Sequence, residues 1–151
     1  GEIVSFDTDM VGPYGYCADI SRTYVEGNKF NDNQKKLYLM AVEQINHNSR
    51  LIKPGMSFKE FTEKSWLLPE EYYGNRYSVM VHGIGMCDEW PAIRYPTDGG
   101  ERSGIFEKNM TITIESYIGK VGGNEGVKLE QQYLVGQNSL ELMSHHPLED
   151  I

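Results

Sequence analysis

Phe6-Asp-Thr-Asp-Met-Val-Gly-Pro-Tyr-Gly-Tyr-Cys-Ala-Asp-Ile-Ser-Arg22 sets three acids around a turn. Ile3 to Asp7 is β-rich and alternates weakly, which predicts a strand. Gly12-Pro13 and Gly15 supply turn chemistry, and Tyr16 to Val25 reads as the returning strand. Strand side chains repeat with period two, so Asp7 and Asp9 are expected on one face. Asp9 and Asp19 are symmetric about Tyr14, and Glu115 and Glu130 about Gly122-Gly123. Simple antiparallel pairing then sets acid opposite acid in two separate hairpins. Like charges opposed across a ladder are destabilising, and buried carboxylates repel until one takes a proton. A shared cation removes the conflict.

Between the hairpins the chain turns helical. Asn31 or Asp32 can cap a helix over 33–52, with Leu37, Met40, Ala41, Ile45 and Leu51 near one stripe, and Lys53-Pro54-Gly55 ends it. Ser57-Phe-Lys-Glu60 has the form of a capping box for a second helix, Phe58 to Leu67, stopped by Pro69. An aromatic stretch, Tyr72 to Tyr77, leads to a short strand from Val79 to His82. Residues 92–104 read as a polar loop, Met110 to Ile118 as the clearest strand, Gly119 to Gly126 as a turn and Val127 to Val135 as the return. A tail starts at Glu141. This order predicts an α+β domain, a curved antiparallel sheet with helices on its outer face.

The 151 residues suffice for one domain with a core. A formal charge of -8 argues against nucleic acid or anionic membrane as partner. No apolar run reaches transmembrane length. Two scattered cysteines, Cys17 and Cys87, suit a reducing cytosol better than a disulfide framework. The chain opens directly into a strand, as expected of a piece that begins within a longer protein.

The candidate metal ligands are Asp7, Asp9, Asp19, His82, Glu115 and Glu130. Each alone has a bland reading: a wet strand face for the acids, a hydrogen-bonded core position for His82. Jointly those readings weaken. Glu115 interrupts the apolar run from Ile112 to Ile118, opposite the face of Ile112 and Ile114. His82 ends a strand just before Gly83-Ile84-Gly85, where glycines permit close approach to the backbone. Five carboxylates and one imidazole suit two divalent ions such as Fe, Mn, Co or Zn, about 3.5–4 Å apart, and lack the thiolates of structural zinc.

These residues resemble the pita-bread superfamily of methionine aminopeptidase, prolidase and creatinase. Its ordered motifs are an acid, Gly-Tyr, Asp-x-[Ser/Thr]-Arg-Thr, His-Gly-x-Gly and two late glutamates. They match Asp7-Thr-Asp9, Gly15-Tyr16, Asp19-Ile-Ser-Arg-Thr23, His82-Gly-Ile-Gly85, Glu115 and Glu130. Two departures stand out. The first metal acid of that superfamily usually stands eleven residues before the second, where this chain has Thr8 between two acids. Its peptidases also carry a histidine before Glu-x-Pro, whereas Met86-Cys-Asp-Glu-Trp-Pro91 is one residue shorter and has Asp88 there.

Together these features resemble the DddP-type dimethylsulfoniopropionate lyases of the superfamily. That resemblance implies the C-terminal part of a pita-bread catalytic domain over 1–151, in a cytosolic, homodimeric, iron-dependent lyase whose N-terminal domain precedes it. Dimethylsulfoniopropionate would be cleaved to dimethyl sulfide and acrylate, with Asp88 as general base, aided by desolvation. Tyr77 and Trp90 would face the sulfonium through their rings. Arg22 is expected to pair with an acid behind the metal. Glu89 is as well explained by structure as by function, His47 is expected on an exposed helix face, and His145 and His146 have no assigned role. A two-metal Xaa-Pro hydrolase and a metal-free binding module are the alternatives. Asp88 weighs against the first and the retained ligands against the second.

Overall fold

The computed structural model describes residues 1–27, 29–100 and 103–151. The chain runs through β1 (Ile3–Asp7), β2 (Met10–Val11), a 3-10 turn at Pro13–Gly15, β3 (Cys17–Ala18), β4 (Ser21–Val25), α1 (Asp32–Leu51), α2 (Phe58–Lys64) and α3 (Glu70–Tyr73). Then follow β5 (Val79–Gly83), β6 (Ala92–Arg94), β7 (Thr111–Gly119), β8 (Gly126–Val135) and β9 (Leu140–Leu142). The predicted α+β organisation holds. A five-stranded antiparallel sheet, ordered β6-β5-β7-β8-β9, carries α1 on one face. The β1–β4 hairpin lies against β8.

Period two sorts the residues of β7 and β8 between the two faces. Ile112, Ile114, Ile118, Val127 and Leu129 join Leu37, Ala41 and Ile45 of α1 in the buried core. Truncating one such side chain, Ile45→Ala for instance, costs about 2–5 kcal/mol. The opposite face carries Thr113, Glu115, Lys128, Glu130 and Gln132, all buried and all polar. A sheet face of that composition is held together by hydrogen bonds and charge pairing.

Local signals act largely as the sequence suggests; the short helix α3 and the strand β9 were not expected, and further differences have a visible cause. Asn31 caps α1 through a reciprocal pair with Gln34. Ser57 caps α2, but Glu60 reaches Lys64 at 2.6 Å instead of closing the box. Helix α2 stops at Lys64, short of Leu67, because the Asn48 amide oxygen on α1 takes the Trp66 N–H at 2.9 Å. Within the 92–104 loop, Ala92 and Ile93 form a buried edge strand. The tail after Glu141 is not free either. Ser144 bonds Gln131 at 2.7 Å, and the Glu149 N–H bonds the Tyr38 hydroxyl at 2.7 Å.

Arg22 is the clamp for that tail, which corrects the expected pairing with an acid. Its guanidinium donates to the carbonyls of Ser21, Glu130, His146 and Pro147 and to Gln131 Oε1. Strand alternation explains the difference. Ser21 faces the Asp7 and Glu130 carboxylates and Thr23 the Lys128 backbone, so Arg22 between them faces away. Burial lowers its pKa from the usual arginine range.

Candidate metal centre

Three strands in register build one wall of the centre. His82 on β5 pairs with Thr113 on β7, which pairs with Gln132 on β8; Glu115 pairs directly with Glu130. All five side chains therefore share a face. Gln132 Oε1 accepts the Asp19 N–H at 3.3 Å, which docks the first hairpin on that face. Gly83 is required beside His82, because a Cβ there would lie 2.1 Å from the Trp90 carbonyl oxygen. The group that approaches the glycine is the chain's own 84–91 loop.

His82 Nε2 lies 3.3 Å from Glu130 Oε1, 3.4 Å from Glu115 Oε1 and 3.8 Å from Asp19 Oδ2. Asp19, His82 and Glu130 each offer an atom within 4.8 Å of the others, and all three residues are buried. His82 Nε2 and Glu130 Oε1 have no hydrogen-bond partner of acceptable geometry. Buried polar atoms are rarely left so. Nδ1 of His82 sits 3.0 Å from the Gly83 carbonyl, which fixes the ring and leaves Nε2 turned to the carboxylates. Two unpartnered buried atoms, aimed at one point among hard oxygen donors, fit a divalent first-row ion.

Electrostatics make the same case. Burial, then the charges of Glu130 and Asp9, push Asp19 up to about 8. Burial alone would favour neutral imidazole at His82, but Glu115 and Glu130 outweigh it and raise its pKa to about 11. Burial raises the pKa of Glu115. For Glu130 the pull of burial is overcome by His82 and Lys128, and its pKa is lowered. With no cation bound, Asp19, His82 and Glu115 are thereby shifted toward their protonated forms, and Glu130 toward its ionised form.

Lys128 was not among the expected site residues. Its ammonium pairs with Glu115 Oε2 and lies 3.4 Å from Asp7 Oδ2, 3.6 Å from Glu130 Oε2 and 3.1 Å from Ser21 Oγ. Burial opposes its charge, but Glu115, Glu130 and Asp7 more than compensate and its pKa is raised. The signal was available: two residues before Glu130 on one strand means the same face.

The first hairpin departs from expectation. Its ladder keeps the predicted symmetry about Tyr14, from Ile3 opposite Val25 to Val11 opposite Cys17, but it breaks between Asp7 and Met10. Asp9 has a φ of 32°, outside the strand region, so period two does not carry from Asp7 to Asp9. Thr8, at the acid position of the superfamily pattern, fills the gap: its hydroxyl lies 3.0 Å from the Ile20 N–H and 3.2 Å from the Ile20 carbonyl. The Asp9 N–H donates to Asp19 Oδ1 at 3.3 Å. Asp9, Asp19 and Asp88 form a second cluster of acids within 4.8 Å of one another, in which Asp9 and Asp88 are exposed. Asp7 joins neither cluster. Its carboxylate is 45% exposed and faces Lys128, and the Ser21 hydroxyl donates to it at 2.6 Å.

The two aromatic candidates separate. Tyr77 is half-buried, with the Lys128 ammonium 4.8 Å over its ring and its hydroxyl donating to Glu89 at 3.1 Å. Trp90 is 62% exposed, not packed in the core, and borders a cleft of about 230 Å³ with Met86, Cys87 and Ile112. His47 is exposed on α1, as expected. Both cysteines are free. Among the described residues no helix is long and apolar enough to cross a membrane.

Metallopeptidase family M24 matches residues 1–137. The chain is 38% identical over 152 aligned residues to the dimethylsulfoniopropionate lyase DddP of Roseovarius nubinhibens, covering 98% of this chain and 34% of that protein. It is 30% identical to the Xaa-Pro dipeptidase of Pyrococcus furiosus, over 95% of this chain and 40% of that one. Among solved structures it superimposes on the prolidase of Pyrococcus horikoshii with a TM-score of 0.79 at 26% identity, over 99% of this chain and 42% of the prolidase. The chain thus spans about a third of the length of the lyase it matches.

Proposed function

Given that the chain belongs to metallopeptidase family M24 and has its pita-bread fold, we propose that it carries the metal centre of a lyase that cleaves dimethylsulfoniopropionate to dimethyl sulfide and acrylate. The observation that carries this reading is the position of Asp88. An acid stands where a peptidase of this superfamily keeps a histidine, and it reaches the open side of the carboxylate cluster, beside Asp9 and Asp19. The likeness to a named lyase over nearly the whole chain supports it.

Asp19, His82, Glu115 and Glu130 would hold one ion, and Asp9 with Asp19 would meet a second; Asp7 stands beside them at Lys128. Iron is the metal implied by the lyase resemblance, and the donors equally accept Mn, Co or Zn. When bound, the metal supplies Lewis-acid stabilisation of negative charge developing at the substrate carboxylate. Asp88 accepts the proton from the adjacent carbon on a carboxylate oxygen. The C–H electron pair becomes the carbon–carbon double bond, and the C–S bond breaks with its electrons passing to sulfur. Dimethyl sulfide leaves neutral, acrylate keeps the negative charge and Asp88 is left protonated. Asp88 is exposed in this chain, so the water exclusion that would strengthen it as a base does not come from the described residues.

The sulfonium needs an aromatic face, worth about 0.5–2 kcal/mol. Trp90 offers an open one, whereas Lys128 already occupies the Tyr77 ring. Tyr77 is better placed to steady the Asp88 loop through Glu89.

The test is a headspace assay on the purified full-length protein, with Xaa-Pro dipeptides in parallel. Dimethyl sulfide and acrylate should form in equal amounts and cease on chelation. Dipeptide cleavage with no gas evolved would replace the lyase by the hydrolase, and no bound transition metal would leave a binding module.

A further inference from the structure

We propose that Lys128 is a positioning residue, a built-in counter-cation that sorts the carboxylate oxygens of the centre into an inner and an outer set. The inference rests on the metal reading above and extends it to a residue outside the ligand set. Glu115 gives Oε2 to Lys128 and turns Oε1 to His82, 3.4 Å away. Glu130 turns Oε2 to Ser21 at 3.0 Å and Lys128 at 3.6 Å, while Oε1 faces His82 at 3.3 Å without a hydrogen bond. Asp7 divides its two oxygens between Ser21 and Lys128. Each glutamate therefore points one chosen oxygen at the metal position, with the other tied to the ammonium side.

Lys128 is itself held in place. The Thr23 hydroxyl on β4 lies 3.0 Å from its backbone N–H and 2.7 Å from its carbonyl, and the Tyr77 ring covers its ammonium. Glu115, Ser21, Asp7 and Glu130 surround that ammonium, so Lys128 is not free to bind substrate.

Charge explains why such a residue is needed. Asp7, Asp9, Asp19, Asp88, Glu115 and Glu130 carry six negative charges when ionised. Two divalent ions offset four, and Lys128 offsets a fifth on the side of Asp7, Glu115 and Glu130, which leaves one for exposed Asp88. The acid added by Asp7-Thr-Asp9, where the superfamily pattern has one, is matched inside the same pocket. Removing one partner of a buried ion pair leaves an uncompensated charge, a large penalty.

The experiment measures melting of metal-stripped and metal-loaded full-length protein for Lys128→Met, Lys128→Arg and the double variant Lys128→Met/Glu115→Gln, with bound metal counted by elemental analysis. Lys128→Met should lower the melting temperature of the stripped form by roughly 5–10 °C. The loaded form should fall by less than half as much. Lys128→Arg should recover most of the stripped-form loss, and so should the double variant, which removes the stranded charge. An electron paramagnetic resonance spectrum of Mn(II)-loaded Lys128→Met should differ from wild type, because Glu115 Oε2 becomes free to reach the ion. Equal losses in the two forms, an arginine variant no better than methionine, or an unchanged Mn(II) spectrum would overturn the proposal. Should Lys128→Met fail to fold, the double variant decides: its failure as well reduces Lys128 to a packing role. If wild type binds no transition metal, the metal reading fails separately, and the three stripped-form melting temperatures still judge the counter-cation.

Discussion

The two acid-bearing hairpins share a design and differ in how rigidly they carry it out. In β7–β8 the ladder is unbroken, from Thr111 opposite Leu134 to Gly119 opposite Gly126, and Glu115 and Glu130 meet at its centre, buried. In β1–β4 the same symmetry persists, but the ladder lapses between Asp7 and Met10, and both Asp7 and Asp9 are exposed. An unbroken ladder fixes the direction of every side chain. A break hands that decision to one backbone angle, here the positive φ of Asp9. The rigid hairpin supplies Glu115 and Glu130 beside His82, and the irregular one adds buried Asp19, sets exposed Asp9 next to Asp88 and turns Asp7 to Lys128.

That contrast can be broken experimentally, beginning where it should be sharpest. His82→Ala, Glu115→Ala and Glu130→Ala should each abolish stoichiometric metal binding together with the lyase turnover proposed for the full-length protein. Full metal content by elemental analysis in any of them would contradict the assignment. Asp88→Asn should lower turnover by about 10²–10⁴-fold, the usual range for a general base, while the ion held by Asp19, His82, Glu115 and Glu130 is retained. Near-normal gas evolution would remove Asp88 from the chemistry.

On the irregular side, Asp9→Asn should weaken metal binding more than Asp7→Asn, because Asp9 lies within ligand distance of Asp19 while Asp7 faces Lys128. Calorimetric titration with Mn(II) compares them, and the reverse order would show that the loaded hairpin re-aims Asp7.

Metal-free protein should grow less stable, and metal affinity greater, as pH rises from about 6 to 8. The folded-state pKa of Asp19 is raised from 3.8 to about 8, so its stabilising contribution is complete below the unfolded value and fades up to the folded one. His82, raised from 6.5 to about 11, contributes fully below its unfolded value and loses its contribution above it. Both must shed protons to ligate. The melting gap between loaded and stripped forms should therefore widen over this range, with protons released on metal uptake. A gap independent of pH would mean the stripped pocket does not hold those protons. The smallest effect is expected for Thr8→Val, which removes the hydroxyl that bridges the break to Ile20 and should cost about 1 kcal/mol in urea unfolding.

Where one period governed a segment, the sequence was easy to read. The β7–β8 register followed from the symmetry of Glu115 and Glu130, and the core stripe of α1 from Leu37, Ala41 and Ile45. Reading failed where contacts between distant segments overruled local pattern. Asn48 on α1 helps to end α2 early, the tail docks on Arg22, and Ala92-Ile93 becomes an edge strand only because β5 lies beside it. Lys128 is legible only in part: its spacing from Glu130 gives the shared face, but a lone lysine on a strand is ordinarily solvated, and pattern alone does not reveal burial.

Taken by itself, the sequence set Asp9 opposite Asp19, Glu115 opposite Glu130 and His82 near the end of a strand. Those placements follow from spacing, which the chain carries in one dimension, whereas Asp88 in place of a histidine is what the superfamily resemblance implies. Only the tertiary structure decided which oxygens turn inward, that Asp7 is drawn to Lys128 and that Tyr77 lies beneath an ammonium. These depend on the relative positions of β4, β5, β7 and β8, where charges distant in sequence come within a few ångströms and each must find a partner.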